Sequence, residues 1–413
     1  MHDLYGDSAL LFQKMEEKAR DVFGRFGFRE IRTPILEEKE LFSRALGTET
    51  DVVQKEMYEF TDRSQTLVAM RPEGTAGVVR AYLENEFDKK EGLCKFYYSG
   101  AMFRSERPQA GRLRQFHQIG VEQLGTDSPY ADAETIHALT VFLEEAGASG
   151  FEVKLNDLGT FEERKEFKKK LLEYFTPKKN NLCEDCRVRL ERNVFRLLDC
   201  KVASCREIVK KSPPIIDFLT PESKAHALIV RSLLSSVGIR FSEDPFMVRG
   251  LDYYTRTVFE ITHPKLGAQD ALAAGGRYDR IIESFGGSAA GAVGFAVGME
   301  RLGMCLQGGE TPREGVQNAL FIVALGEGAM IEAFKLLSRI RMAGIPARME
   351  LSPKSMKSQM RSADKEKCAW ALILGENELK SGQLALKNMK DGSQESVLAG
   401  DLLAHLKRKF GRV

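Results

Sequence analysis

No apolar stretch in this 413-residue chain is long enough to cross a membrane. The longest runs, such as 289–299, are interrupted by glycine. The opening residues MHDLYGDSAL lack a basic region followed by an apolar core, so no secretory signal is read and residence in the cytoplasm is expected. Cysteine is scarce and odd in number, seven in all, which argues against a disulfide framework in such a chain. There is no GxxxxGK[ST] loop, and no GxGxxG joins a strand to a helix. The two commonest phosphate-binding loops are therefore excluded. Internal repeats are absent. Net charge is only +2, which by itself says nothing about nucleic acid.

The chain is too long for one ordinary core, so two domains, or one large domain carrying insertions, are expected. Hydrophobic residues at 43% and charged residues at 29% describe a globular protein. Phe12, Met15, Ala19, Val22 and Phe23 recur at helical spacing and predict an amphipathic helix over 8–24. The alternating stretch 28–37 predicts a strand, and Pro34 directs it to an edge or interface. Further strand-like runs with short helical patterns between them predict an α+β domain, an antiparallel sheet flanked by helices, over 1–316. Residues from about 160 to 225 are lysine-rich and end in Ser212-Pro213-Pro214, and they read as a mostly helical insertion. Residues 306–317 (LQGGETPREGVQ) form a linker. Beyond it, strand and helix patterns alternate, with a helix over 353–367 started by Ser352 and Pro353, so 317–413 is expected to be a smaller α/β domain with a largely parallel sheet. Residues 318–413 hold 16 Lys and Arg against 10 Asp and Glu, a basic appendage suited to a polyanion.

The most informative segment is 96–122 (FYYSGAMFRSERPQAGRLRQFHQIGVE), two strands joined by a hairpin loop. Arg104, Arg107, Arg112 and Arg114 lie on or beside the loop, and their forked guanidinium groups suit phosphate oxygens. Gln118, Gly120 and Glu122 share one face of the return strand, a carboxylate and an amide for a small polar ligand. Glycines 100 and 120 leave room for a flat ligand on the sheet. His117 points to the other face with Ile119 and Val121, which suits a packed histidine better than a catalytic one.

Together these features resemble the bacterial-type histidyl-tRNA synthetase family, of class II. GFREIRTPILE (27–37) is similar to motif 1, which forms the dimer interface in that family; 103–122 is similar to motif 2, and GAVGFAVGMERL (291–302) to motif 3. VRGLDYY (248–254), AAGGRYD (273–279) and RPEGT (71–75) resemble signatures of the histidine enzyme, and 318–413 resembles its anticodon-binding domain. The resemblance implies activation of L-histidine by ATP with Mg²⁺, transfer to tRNA(His), and a homodimer without membrane association.

By the same resemblance Arg104, Arg249 and Arg301 are catalytic: Arg104 on the α-phosphate, Arg301 on the γ-phosphate, and Arg249 between carboxylate and α-phosphate. Glu106 and Arg112 join Arg104 and Arg301 in binding ATP. Glu73, Thr75 and Gln118 would surround the histidine amino group and Glu122 and Tyr254 its ring, with Gly74 and Tyr253 also in the histidine site and Arg249 at the carboxylate. Arg107, Gln109 and Arg114 would meet the tRNA acceptor end, and Lys407, Arg408, Lys409 and Arg412 its anticodon arm. No metal ligands are assigned. Cys183, Cys186, Cys200 and Cys205 cluster in the insertion, but Cys-x4-Cys is looser than a zinc ribbon, so reduced thiols are expected ahead of structural zinc. The alternative to an enzyme is a non-catalytic relative such as the regulatory subunit of ATP phosphoribosyltransferase.

Overall fold

The first predicted helix is present as α1 (Asp7–Arg25), and it buries Met15, Ala19, Val22 and Phe23. In the computed structural model, residues 3–48, 50–106, 111–248, 253–267, 270–306 and 319–410 are described. Two compact units result, Met1–Thr311 and Pro312–Val413.

After α1 the chain turns at Gly27, whose φ of 80° favours glycine, into β1 (Arg29–Glu30). The single strand expected over 28–37 is divided: β1 ends, and β2 (Leu36–Glu38) joins a different sheet. Pro34 lies at the break, where a residue without an N–H costs no ladder bond. There follow α2 (Lys39–Leu46), β3 (Glu59–Thr61), β4 (Leu67–Met70), α3 (Thr75–Glu84), α4 (Phe87–Lys90), β5 (Cys94–Phe103) and β6 (Gln115–Leu124). Then come α5 (Pro129–Glu145) and β7 (Glu152–Asp157). The insertion is helical, with α6 (Phe161–Phe175), α7 (Glu184–Arg192), α8 (Ala203–Val209) and short 3-10 turns between them. Next are α9 (Pro221–Ser236), β8 (Phe241–Glu243), β9 (Thr255–Thr262), β10 (Ala271–Arg277), α10 (Ile281–Ser284), β11 (Ala292–Gly298) and α11 (Met299–Leu306).

Eight of these strands form one sheet in the order β1-β5-β6-β11-β10-β9-β7-β8. Its interior pairs are antiparallel, and only the edge pairs β1–β5 and β7–β8 are parallel. One face is covered by apolar side chains of α1, α5, α9 and α11 (Phe23, Ile136, Phe142, Leu234, Leu302) packed on Ile119, Val121, Phe295 and Val297. The other face meets α3 and the insertion through a second core that includes Val78, Tyr82, Phe96, Tyr98 and Tyr278. A separate three-stranded sheet has the order β2-β4-β3.

The second unit contains β12 (Leu320–Ala324), α12 (Glu327–Met342), β13 (Ala347–Met349), α13 (Met356–Lys365), β14 (Trp370–Leu374), α14 (Glu376–Ser381), β15 (Gln383–Asn388), β16 (Gln394–Leu398) and α15 (Leu402–Phe410). Its sheet, β13-β12-β14-β15-β16, is parallel across the first three strands. The pairs β14–β15 and β15–β16 are antiparallel, so the sheet is mixed and not largely parallel. A short connection between β15 and β16 permits only a hairpin there. Helix α13 starts later than Ser352-Pro353 predicts: Ser355 is its cap, with Oγ accepting the Ser358 N–H at 3.3 Å.

Candidate active site

Strands β5 and β6 pair from Cys94↔Leu124 to Phe103↔Gln115, the hairpin expected from 96–122. On β6 the side chains of Ile119 and Val121 enter the helix-covered core, so Gln118 and Glu122 take the opposite face. His117 stays with the first set. Its Nδ1 lies 2.9 Å from Glu300 Oε1, and its ring meets Phe12 edge-on at 5.3 Å.

The two glycines act differently from expectation. A Cβ at Gly100 would strike the Arg71 guanidinium, and one at Gly120 would strike the Tyr98 ring. Protein side chains, not a flat ligand, therefore cover these positions. Arg71 is held there by Nε donating to the Ala101 carbonyl and Nη1 to the Thr33 carbonyl, each at 2.9 Å.

Between Gln118 and the hairpin loop opens a cleft of about 950 Å³. It is lined by Glu73, Thr75, Gln118, Tyr253, Tyr254, Glu106, Arg112, Arg104 and Arg301 among the predicted residues. Glu122 lies beneath it and not on its surface. The carboxylate oxygens of Glu122 accept the Thr75 hydroxyl at 2.7 Å, the Tyr98 hydroxyl at 3.4 Å and the Tyr278 hydroxyl. Burial pushes the Glu122 carboxyl up to about 8 despite those donors. Gly294 faces it across the β6–β11 pair, and any Cβ there would collide with the carboxylate.

Glu73 is also buried, which raises its pKa, while its two oxygens accept the N–H groups of Thr75 (2.6 Å) and Ala76 (2.9 Å) at the start of α3. Gly74 precedes that helix, and a side chain there would run into Tyr98. The rings of Tyr253, Tyr254 and Tyr278 pack together, with Tyr253 and Tyr254 centroids 4.5 Å apart. Gln118 Oε1 is a buried acceptor without a partner among the described residues, which suits a ligand donor.

At the other end, Arg104 donates through Nε to the Pro72 carbonyl (2.9 Å) and lies over the Phe116 ring. Arg301 donates to the carbonyls of Gly111 (3.2 Å) and Ala271. Desolvation, then the charge of Arg112, lowers the Arg301 pKa. Arg112 pairs with Glu106 at 3.1 Å. Arg114 is exposed and does not line the cleft. Arg107, Gln109 and Arg249 lie outside the described residues; Val248 and Tyr253, on either side of the segment holding Arg249, both line the cleft.

Sequence reasoning did not single out Tyr98, Phe116, Tyr278 or Glu260, nor Arg196, Lys201, Arg206 and Lys210, which form a basic wall from the insertion. Tyr98 had a signal in the sequence, a large ring opposite Gly120 on the paired strand. The insertion residues had none, because only folding brings them to the cleft. The four clustered cysteines also come together, with all Sγ atoms within 4.8 Å of one another.

A mainly antiparallel sheet with helices on one face and a polar cleft on the other is the architecture of class II aminoacyl-tRNA synthetase catalytic domains. Residues 1–302 match the family model described as histidyl-tRNA synthetase, and residues 319–409 match an anticodon-binding domain. The chain is 45% identical to the histidine–tRNA ligase of Thermodesulfovibrio yellowstonii, covering 99% of this chain and 97% of that protein. It is 44% identical to that of Desulfosudis oleivorans, over 97% and 95%. The structure of apo S. aureus histidyl-tRNA synthetase superimposes with a TM-score of 0.83 at 32% identity, covering 98% of each chain. The chain belongs to the histidyl-tRNA synthetase family.

Proposed function

We propose that the protein is a histidine–tRNA ligase, which joins L-histidine to ATP as histidyl-adenylate with release of pyrophosphate, then passes histidine to the terminal adenosine of tRNA(His). The observation that carries this reading is a single cleft with hydrogen-bonding groups for a small zwitterion at one end and anchored arginines at the other. A substrate carboxylate is already ionised at neutral pH, so activation needs no general base. It needs two anions brought together and the charge of the transition state stabilised. Arg104 and Arg301 suit that task because backbone carbonyls fix their planes in advance. Arg249 is assigned the bridge between carboxylate and α-phosphate. Carboxylates of Glu106 and Glu260 line the same cleft, oxygen donors of the kind Mg²⁺ takes, so the residues fit a magnesium-bound nucleotide. When bound, the ion neutralises the polyphosphate.

Selectivity for histidine is assigned to the ring end of the cleft. If the buried polar network of Glu122, Thr75, Tyr98 and Tyr278 reaches the imidazole nitrogens through Tyr253 and Tyr254, leucine or phenylalanine offers it no partner and is disfavoured without editing. Arg107, Gln109 and Arg114 are assigned to the acceptor end, and the unit after the linker to the anticodon. In that unit Lys409 already pairs with Glu395 at 2.8 Å and lies over Trp370, so Lys407 and Arg408 are better placed to meet phosphate. A cytoplasmic homodimer completes the proposal. The regulatory-subunit alternative is disfavoured by arginines 104 and 301 within the cleft and by the anticodon-binding match.

Histidine-dependent exchange of pyrophosphate into ATP tests the activity, followed by charging of tRNA(His). The wild type should catalyse both, and Arg104→Ala or Arg301→Ala should lower exchange at least ~100-fold. Absence of exchange in the folded wild-type protein would refute the proposal.

A further inference from the structure

We propose that Cys183, Cys186, Cys200 and Cys205 bind one structural zinc ion that organises the helical insertion. The cysteines come from three places in the chain. Cys183 caps α7 and Cys186 lies in its first turn; Cys200 follows the 3-10 turn Val194–Leu197; Cys205 lies in the first turn of α8. The four Sγ atoms nevertheless lie within 4.8 Å of one another, and those of Cys183 and Cys200 are 3.9 Å apart. A tetrahedral ion with Zn–S bonds of ~2.3 Å holds its sulfurs ~3.8 Å apart. The Cys183–Cys200 pair already has that spacing and the others lie within about 1 Å of it, a gap that side-chain rotation can close, and none of the four is in a disulfide.

The chemistry of the donors selects the metal. Four soft thiolates exclude magnesium, calcium and manganese and favour zinc. Three of the four residues are buried and Cys183 is partly so, so little of the site is open to solvent, as suits structural zinc. The Cys183 N–H donates to Cys205 Sγ at 3.2 Å, which ties the start of α7 to that of α8. The remaining cysteines, Cys94, Cys305 and Cys368, are dispersed singly through other parts of the molecule. Thiols serving only as small hydrophobes have no reason to converge on one point. The loose Cys-x4-Cys spacing that disfavoured zinc in the sequence is resolved because the chain between Cys200 and Cys205 bends into the start of α8.

A metal here has a structural purpose. The short helices α7 and α8 bury Cys186, Leu190, Cys205 and Val209 in the core shared with the catalytic sheet, and one ion bound to four thiolates would tie the two helices to each other there. Cys200 itself lines the cleft beside Arg196, Lys201, Arg206 and Lys210. Zinc would therefore fix the basic wall as well as the insertion. The site is independent of the ligase assignment, which stands whether or not metal is found.

Elemental analysis of the full-length protein, purified under reducing conditions without added metal, should find about one zinc per chain. Cys186→Ser and Cys205→Ser should lose at least ~90% of it, while Cys94→Ser and Cys368→Ser keep it. A second measurement avoids dependence on variants. Cobalt added to chelator-stripped wild type should give the visible bands of a tetrahedral thiolate complex, and zinc should abolish them. Zinc should also shield four thiols from a thiol reagent until a chelator exposes them. Metal-free protein with no cobalt spectrum, iron in place of zinc, or undiminished zinc in the serine variants would overturn the proposal.

Discussion

Glu122 shows how a residue can be legible in sequence while its surroundings are not. Its strand position identifies the face, yet its carboxylate lies under the cleft, bonded to Thr75, Tyr98 and Tyr278. Its pKa is raised from 4.5 to about 8 by burial. The folded state then holds a proton that the unfolded chain releases, so the stability linked to this group is complete below about pH 4.5 and is lost as pH rises towards 8. Glu122→Gln should flatten the fall in Tm between about pH 5 and pH 8, as differential scanning calorimetry would measure. In steady-state exchange assays it should also raise the KM for histidine more than that for ATP; equal changes would remove Glu122 from histidine recognition. Arg277 offers a contrasting case. It is fully buried, and its N–H groups donate to Asp132, Asp279, Thr126 and Ser128. Arg277→Ala would leave the buried Asp132 carboxylate with only His226, 2.8 Å away, in place of the arginine, and should cost ~3–5 kcal/mol, read by urea denaturation. Part of the histidine-specific signature AAGGRYD is thus a structural brace, with its Tyr278 directed at Glu122.

Among elements, the β5–β6 hairpin was the most fully legible, because alternation, glycine and arginine all pointed the same way. What could not be read was which atoms fill the space above Gly120. Tyr98 does so, and a Cβ at 120 would also meet the Phe295 carbonyl oxygen at 2.8 Å. Gly120→Ala should therefore destabilise the fold by ~1–3 kcal/mol and, by shifting Tyr98 from Glu122, weaken histidine binding in calorimetric titration. An unchanged affinity would mean that Tyr98 has no part in the pocket. The division of 28–37 between two sheets was only half visible. Proline marked the interruption, but the choice of partner strands depends on residues far along the chain.

At the scale of the whole molecule, the small sheet leaves Leu36 and Phe60 exposed, at 48% and 46%. Through Met70 and Val68 of β4 these two residues fall on one face. Exposed apolar side chains gathered on a sheet face are characteristic of a subunit contact. If the proposed homodimer uses this face, Phe60→Glu should sediment as a monomer at micromolar concentration where the wild type sediments as a dimer; a wild-type monomer would remove the basis for that interface. Each of the two units has its own buried core, so both should be visible as separate events if thermal unfolding is not concerted.

Residue order alone determined the helix and strand periods, the two-part division of the chain and the resemblance of its motifs, because these depend on spacing along the chain. Tertiary structure alone decided that Arg104 and Arg301, nearly 200 positions apart, line one cleft, that Glu122 lies beneath it, and that four cysteines from separate turns converge. Such juxtapositions depend on how sheets, loops and helices pack in three dimensions, and local spacing carries no record of that packing.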